Sequence, residues 1–244
     1  MYKRQLFLNL PGDNYNSVPT AQHSGKQIGD VTLLASNNPE QVSTHGILYR
    51  DTIGGNVRIR FHHRNTTGDR LQINAIAHNA SSEPITLTYG QKGLAGPSLD
   101  VIQVGMQVVL NYMTATNTQN SVVIQPGQSI ILNEEQGSMI NDAIVAGLID
   151  VHASAPLDFM IVAVPPGSSA QAWQNLNLEV LPLIKTHIRG TFPQATIDMQ
   201  VTASGKEIEK VPVGRDDSYV GYFINGTDAT RGAMLINNGN RRCV

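Results

Sequence analysis

The chain has 244 residues, 41% hydrophobic and only 15% charged, with a formal net charge of −2. That length supports one large or two ordinary cores, whereas the lack of a basic excess argues against nucleic acid, whose sequence-independent binding needs clustered Lys and Arg. The single cysteine, Cys243, excludes an internal disulfide and a thiolate zinc site, and no apolar run approaches the roughly 20 residues that span a bilayer.

In chain order, "LPGDNYNSVPTAQHSGKQIGD" lacks an apolar period and is rich in Asn, Ser, Gly and Pro. Residues 1–30 are therefore expected to be a disordered leader or linker. From Val31 onward, runs of four to eight apolar residues alternate with turn clusters, among them "VTLLA", "NVRIRFH", "RLQINAIAHN", "PITLTYG", "GMQVVLNYM" and "LDFMIVAVPP". This spacing predicts an all-β fold, a β-sandwich or barrel over residues 31–166. Within it, Val57, Ile59 and Phe61 alternate with Arg58 and Arg60. Leu71, Ile73, Ala75 and Ala77 likewise alternate with Gln72, Asn74, Ile76 and His78. "NTTGDR" is expected to join these two strands as a hairpin, with Gly68 free to take positive φ. "IQPGQS" is expected to form a tight turn around Pro126 and Gly127.

Residues 167–189 read as a crossover, with a short helix expected from Ala170 to Leu176 behind a Ser cap. From 190 to 244 the β texture returns, and a second β module is expected, truncated at its C-terminus. "MYKRQ" resembles a translated sequencing adapter, and "NNGNRRCV" stops inside a strand region. The chain is thus expected to be a fragment whose signal peptide has been lost.

The polar residues offer several candidate chemistries. His62 and His63 are adjacent, so a strand sends them to opposite faces, and His78 follows on the next strand. No Asp, Glu or Cys completes a first shell around them, so they are expected to be surface histidines of a sheet. Asn14-Tyr15-Asn16 and Asn111-Tyr112-Met113 lack the acidic third residue of the quinone-forming motif, and no His-x-His copper pair occurs. There is no Gly-x-Ser-x-Gly nucleophile elbow, and Gly96-Pro97-Ser98 reads as a turn. The acidic pairs Glu134-Glu135 and Asp216-Asp217 read as solvated turns, although the second pair is the place to look for a polysaccharide hydrolase. Asp216, Asp217, Asn225 and Asp228 supply hard oxygens that suit Ca²⁺, and ordinary Asx-turns explain them equally. Trp173, Tyr219 and Tyr222 are the candidates for stacking on sugar rings. Sequons begin at Asn65, Asn79 and Asn225. No catalytic residue, metal or cofactor is expected.

Five stretches share an order with a known family: "GILYRDTIGGNVRIRFHHRN", "LTYGQKGLAGPSLDVIQVGMQVVLNYM", "VVIQPGQSIILNE", "HIRGTFPQAT" and "YFINGTDATRGAMLINNGN". Together they resemble an uncharacterised extracellular region of secreted and cell-surface proteins of Firmicutes, of the Paenibacillus and Bacillus type. Such regions are often found beside copper-amine-oxidase N-terminal-like domains. The resemblance spans residues 31–240 and rests on strand-and-turn texture. It implies an immunoglobulin-like β-sandwich, an extracellular, cell-surface location, and a non-enzymatic structural or adhesive role. Cell-wall polymer or another surface protein would be the partner. A carbohydrate-binding module is the alternative, ahead of a wall-polysaccharide hydrolase or a phage tail protein.

Overall fold

The computed structural model describes residues 22–116, 120–183, 187–193, 195–202, 221–222 and 236–237, which are mostly β-strand with one α-helix. The chain divides into two compact units, Gly29–Thr196 and a second assembled from Met1–Ile28 with Ile197–Val244. In the second unit, β1 (Gln22–Ile28) pairs with β11 (Thr196–Thr202). The short β12 (Gly221–Tyr222) runs antiparallel to β13 (Ile236–Asn237).

The larger unit is built on two long strands, β4 (Gly46–Asn65) and β9 (Ile144–Val164), paired antiparallel from Gly46↔Ala163 to Arg64↔Ile144. A register shift between Ile53 and Gly55 divides this ribbon in two. The other side of β9 is shared. Its C-terminal half pairs with β5 (Gln72–His78), and its N-terminal half with β6 (Ile85–Ser98). β2 (Thr32–Ser36) adds to β4 in parallel, as does the short β3 (Gln41–Val42). β10 (Arg189–Phe192), at the boundary between the expected crossover and the expected second module, lies antiparallel on β2. β7 (Ser121–Ile124) pairs with β6, and β8 (Ser129–Ile131) with β5. The result is one nine-stranded mixed sheet.

Strand alternation explains which residues face inward. Val57, Ile59 and Phe61 are buried, while Arg58 and Arg60 on the other face are partly exposed. The main core joins these to Leu48, Phe159 and Ile161 from the other half of the ribbon, so both halves enclose one apolar centre. Gly147 makes room there, because a Cβ would collide with the Phe61 ring.

Three sequence expectations are corrected. β4 and β5 do not form a hairpin, because β9 lies between them and pairs with both. The "NTTGDR" link does turn with Gly68 at φ 89°, but it spans a strand rather than joining neighbours. Gly96-Pro97-Ser98 is not a turn; it ends β6, across a register shift between Ala95 and Ser98.

The third correction is the run "GMQVVLNYM", which is not a strand. Val101–Thr114 is an α-helix, α1. Asp100 caps it, its side chain accepting the backbone N–H of Ile102 at 3.1 Å and of Gln103 at 3.0 Å. Val104 and Val108, one turn apart, bury against Ala95, Ile144 and Ala146. Gly93 on β6 lets the helix sit close, since a Cβ there would run into the Val108 carbonyl and the Tyr112 N–H.

The second face of β5, which carries His78, expected at the surface, is covered instead. Residues 165–181 return across it as a strap, packing Trp173, Leu176 and Val180 on Ile47, Ile76 and Val162. The Leu181 N–H donates to Ile47 O at 2.9 Å. The helix expected here is a single 3-10 turn, Ala172–Asn175.

Candidate functional site

The two adjacent histidines do face opposite sides of β4, and their environments differ sharply. His63 is fully buried on the core face, not at the surface. Its Nδ1 donates to the Pro39 carbonyl at 2.8 Å, so Nε2 is left to accept from the Ser36 hydroxyl at 3.0 Å. That arrangement holds only for a neutral ring, and burial pushes its pKa down to about 3. His62, on the outer face, sits 3.7 Å from Glu40, whose other oxygen accepts from His187 Nε2 at 2.7 Å. Desolvation lowers the His62 pKa, with Glu40 opposing it. His78 is also buried. Its Nδ1 reaches the Gln128 carbonyl and the Ser129 hydroxyl, and the Trp173 ring meets it edge-on at 5.0 Å. The three histidines are therefore separate, and among the described residues no group of three or more His, Cys, Asp and Glu is placed to hold a metal ion.

Trp173, a candidate for sugar stacking, is held by this packing and donates its indole N–H to Ser129 Oγ at 3.1 Å. Tyr222 falls in β12. Asp216, Asp217, Tyr219, Asn225 and Asp228 lie outside the described residues. Glu134 and Glu135 are exposed in a turn, as expected, and Glu135 pairs with Lys92 at 2.5 Å.

The sequons at Asn65 and Asn79 have a structural explanation that the pattern itself did not suggest. Both asparagines are fully buried. Asn65 Nδ2 donates to Asp69 O at 2.7 Å while Oδ1 accepts the N–H and the hydroxyl of Thr67. Asn79 repeats the motif, donating to Glu83 O at 2.7 Å and accepting the N–H and hydroxyl of Ser81. The Thr67 and Ser81 hydroxyls also lie within reach of the same two carbonyls, at 3.1 and 2.9 Å, so each shares its single proton between two acceptors. Asn-x-(Ser/Thr)-x-(Asp/Glu) is here a loop that closes on itself. Its two occurrences in the sequence were the available signal.

Two further arrangements escaped sequence reasoning. The first joins β4, β9 and α1: Arg58 makes two hydrogen bonds to Asp150 and one to Tyr112, and its guanidinium lies 5.2 Å from the Tyr112 ring centroid. The second is the outward face of α1. Ile102, Leu110 and Met113 are exposed along it, Leu99 is exposed just before the Asp100 cap, and none of the helix's 14 residues is charged. Gln103, Gln107 and Thr114 are exposed beside them, so the outward face is uncharged and mixed, with large apolar side chains of the kind that interfaces cover.

No family model matches the chain, nor does any curated protein or solved structure.

Proposed function

We propose that this chain is a non-enzymatic, extracellular module of the cell surface, structural or adhesive, that contacts another surface protein through the outer face of α1. The observation that carries this reading is the set Ile102, Leu110 and Met113, exposed by 49%, 46% and 68% on an uncharged helix, with Leu99, exposed by 65%, just ahead of its cap. Apolar, uncharged surface suits the centre of a protein interface, where charged residues are depleted. It suits a polysaccharide poorly, because sugar recognition combines hydroxyl hydrogen bonds with stacking on aromatic faces. The immunoglobulin-like scaffold is part of the same proposal, supported by the antiparallel β4, β9, β5 and β6 around a shared core. The extracellular location draws its support from the Firmicutes resemblance. Among the described residues no helix is long and apolar enough to cross a membrane.

The test is binding to isolated bacterial envelopes by the purified chain and by a variant carrying Leu99→Ser, Ile102→Gln, Leu110→Gln and Met113→Gln. The expected result is saturable binding that is lost when the envelopes are treated with protease, and that weakens at least tenfold in the variant at unchanged Tm. Binding that survives both changes and is competed by soluble wall sugars would replace this reading with the carbohydrate-binding one.

A further inference from the structure

The outer face of β4 presents four basic side chains at alternate positions: Arg58, Arg60, His62 and Arg64. Three of them have a carboxylate. Arg58 pairs with Asp150 at 2.8 Å, Arg64 with Asp142 at 2.9 Å, and His62 faces Glu40 at 3.7 Å. Arg60, in the middle of the row, has none among the described residues. Its cross-strand neighbours are Ala35 on β2 and Leu148 on β9, neither of which has a polar side chain.

Its surroundings make that isolation costly. Ala35 and Leu33 on the same face are buried, Leu148 is partly buried, and Arg60 itself is only partly exposed. Burial lowers its pKa and nothing opposes the shift. A guanidinium cannot respond as a buried lysine does, by releasing its proton. A partly enclosed cation without a counter-charge gives up part of its hydration with no ion pair in return. One step further along the same face is a second unmatched group. Asn37 continues the β2 ladder, its N–H donating to Ile188 O at 2.9 Å, and its Oδ1 is buried without a partner. Its parity with Ala35 puts it on the same face as Arg60 and His62, one position past the last β2–β4 pair, Ser36↔Phe61. The two ends of an amide are interchangeable by rotation, so Asn37 can equally present Nδ2–H to an acceptor.

We propose that Arg60, flanked by Asn37 and His62, binds an oxyanion group, a carboxylate or a phosphate, on the outer face of β4. The guanidinium fork matches two oxygens of such a group, and the apolar walls strengthen the attraction relative to open water. All three residues belong to the unit Gly29–Thr196, and the inference does not depend on the adhesive reading.

The test is titration of the whole chain with inorganic phosphate and, separately, with acetate, at constant ionic strength, followed by calorimetry and by Tm. Saturable binding of at least one probe is expected. It should weaken tenfold or more in Arg60→Gln and stay within about twofold in Arg64→Gln, which alters a neighbouring but already paired cation. Asn37→Asp provides a second route should Arg60→Gln fold poorly. It places a carboxylate beside Arg60, so it should raise Tm in anion-free buffer and abolish the anion response. The stronger of the two probes identifies the group, and repeating the titration with polyphosphate and polyacrylate separates a polymer-borne anion from a free one. Equal responses in wild type and Arg60→Gln, an adventitious ion only, would overturn the proposal, as would no saturable response to either probe.

Discussion

Asp150 on β9 accepts two hydrogen bonds, each 2.8 Å, from Arg58, which lies directly opposite on β4. Tyr112 donates to the same carboxylate, so one acid fastens α1 to the central ribbon of the sheet. Asp150→Asn keeps the shape but loses the charge, and is expected to cost about 1–2 kcal/mol, given a partly exposed pair. Urea denaturation reads this directly. A loss below about 0.5 kcal/mol would remove the clamp from the account of stability. The clamp also has an alkaline signature. Burial, and then the bond to Asp150, raise the Tyr112 pKa above its ordinary value. A raised acid keeps its proton longer in the folded state, so its stabilisation is complete below the unfolded pKa of about 10 and is lost as pH rises beyond it. Tyr112→Phe should flatten that loss.

His63 predicts an acid limb. Its folded pKa of about 3 lies below the unfolded value, so the unfolded chain takes up the proton first. Its contribution is complete above pH about 6.5 and declines as pH falls toward 3, by roughly 1.4 kcal/mol per pH unit inside that window. Desolvation of His62 acts in the same direction. Stability measured from pH 7 to pH 5, above the carboxylate range, should show this slope in the wild type and a shallower one in His63→Gln. Equal slopes would contradict the buried neutral ring.

The Asn65 and Asn79 sequons should not be glycosylated once the chain has folded, since both amide nitrogens are buried and donate inside their own loops. Incubating the folded, purified chain with an N-glycan transferase and its lipid-linked donor, followed by peptide mass spectrometry, checks this, and glycan at either residue would contradict the geometry. Asn65→Ala and Asn79→Ala should each cost about 1–3 kcal/mol, the penalty for stranding several loop polar groups.

Two glycines near one another in sequence should respond oppositely to the same substitution. Gly93→Ala drives a methyl group into the α1 backbone and is expected to cost about 3 kcal/mol. Gly105→Ala meets nothing within 4 Å and should stabilise the helix by up to about 1 kcal/mol. Similar effects at both positions would mean that α1 does not dock where it is described.

Asn74 on β5 is buried beneath the strap with neither end of its amide hydrogen-bonded. Asn74→Val keeps the strand preference and removes the unmatched polar atoms, so it should raise stability by about 1 kcal/mol. A loss of similar size would show that the amide has a partner in solution.

The sequence by itself determined the β character of the chain, the inward set Val57, Ile59 and Phe61, and the turns at Gly68 and Gly127, both with positive φ. It also separated His62 from His63, because side-chain direction on a strand alternates whatever the partner is. These are local consequences of backbone sterics. It misled at α1, where Val, Leu and Met suit a buried helix as well as a strand, and Asp100 decides between them only as the cap. Strand partners, by contrast, are chosen by contacts far apart in the chain. Only the tertiary structure inserted β9 between β4 and β5, laid the strap over Asn74 and His78, and matched Arg58 to an acid while leaving Arg60 opposite Ala35 and Leu148. A periodic pattern says which face a residue takes; what waits on that face depends on which distant strand arrives there.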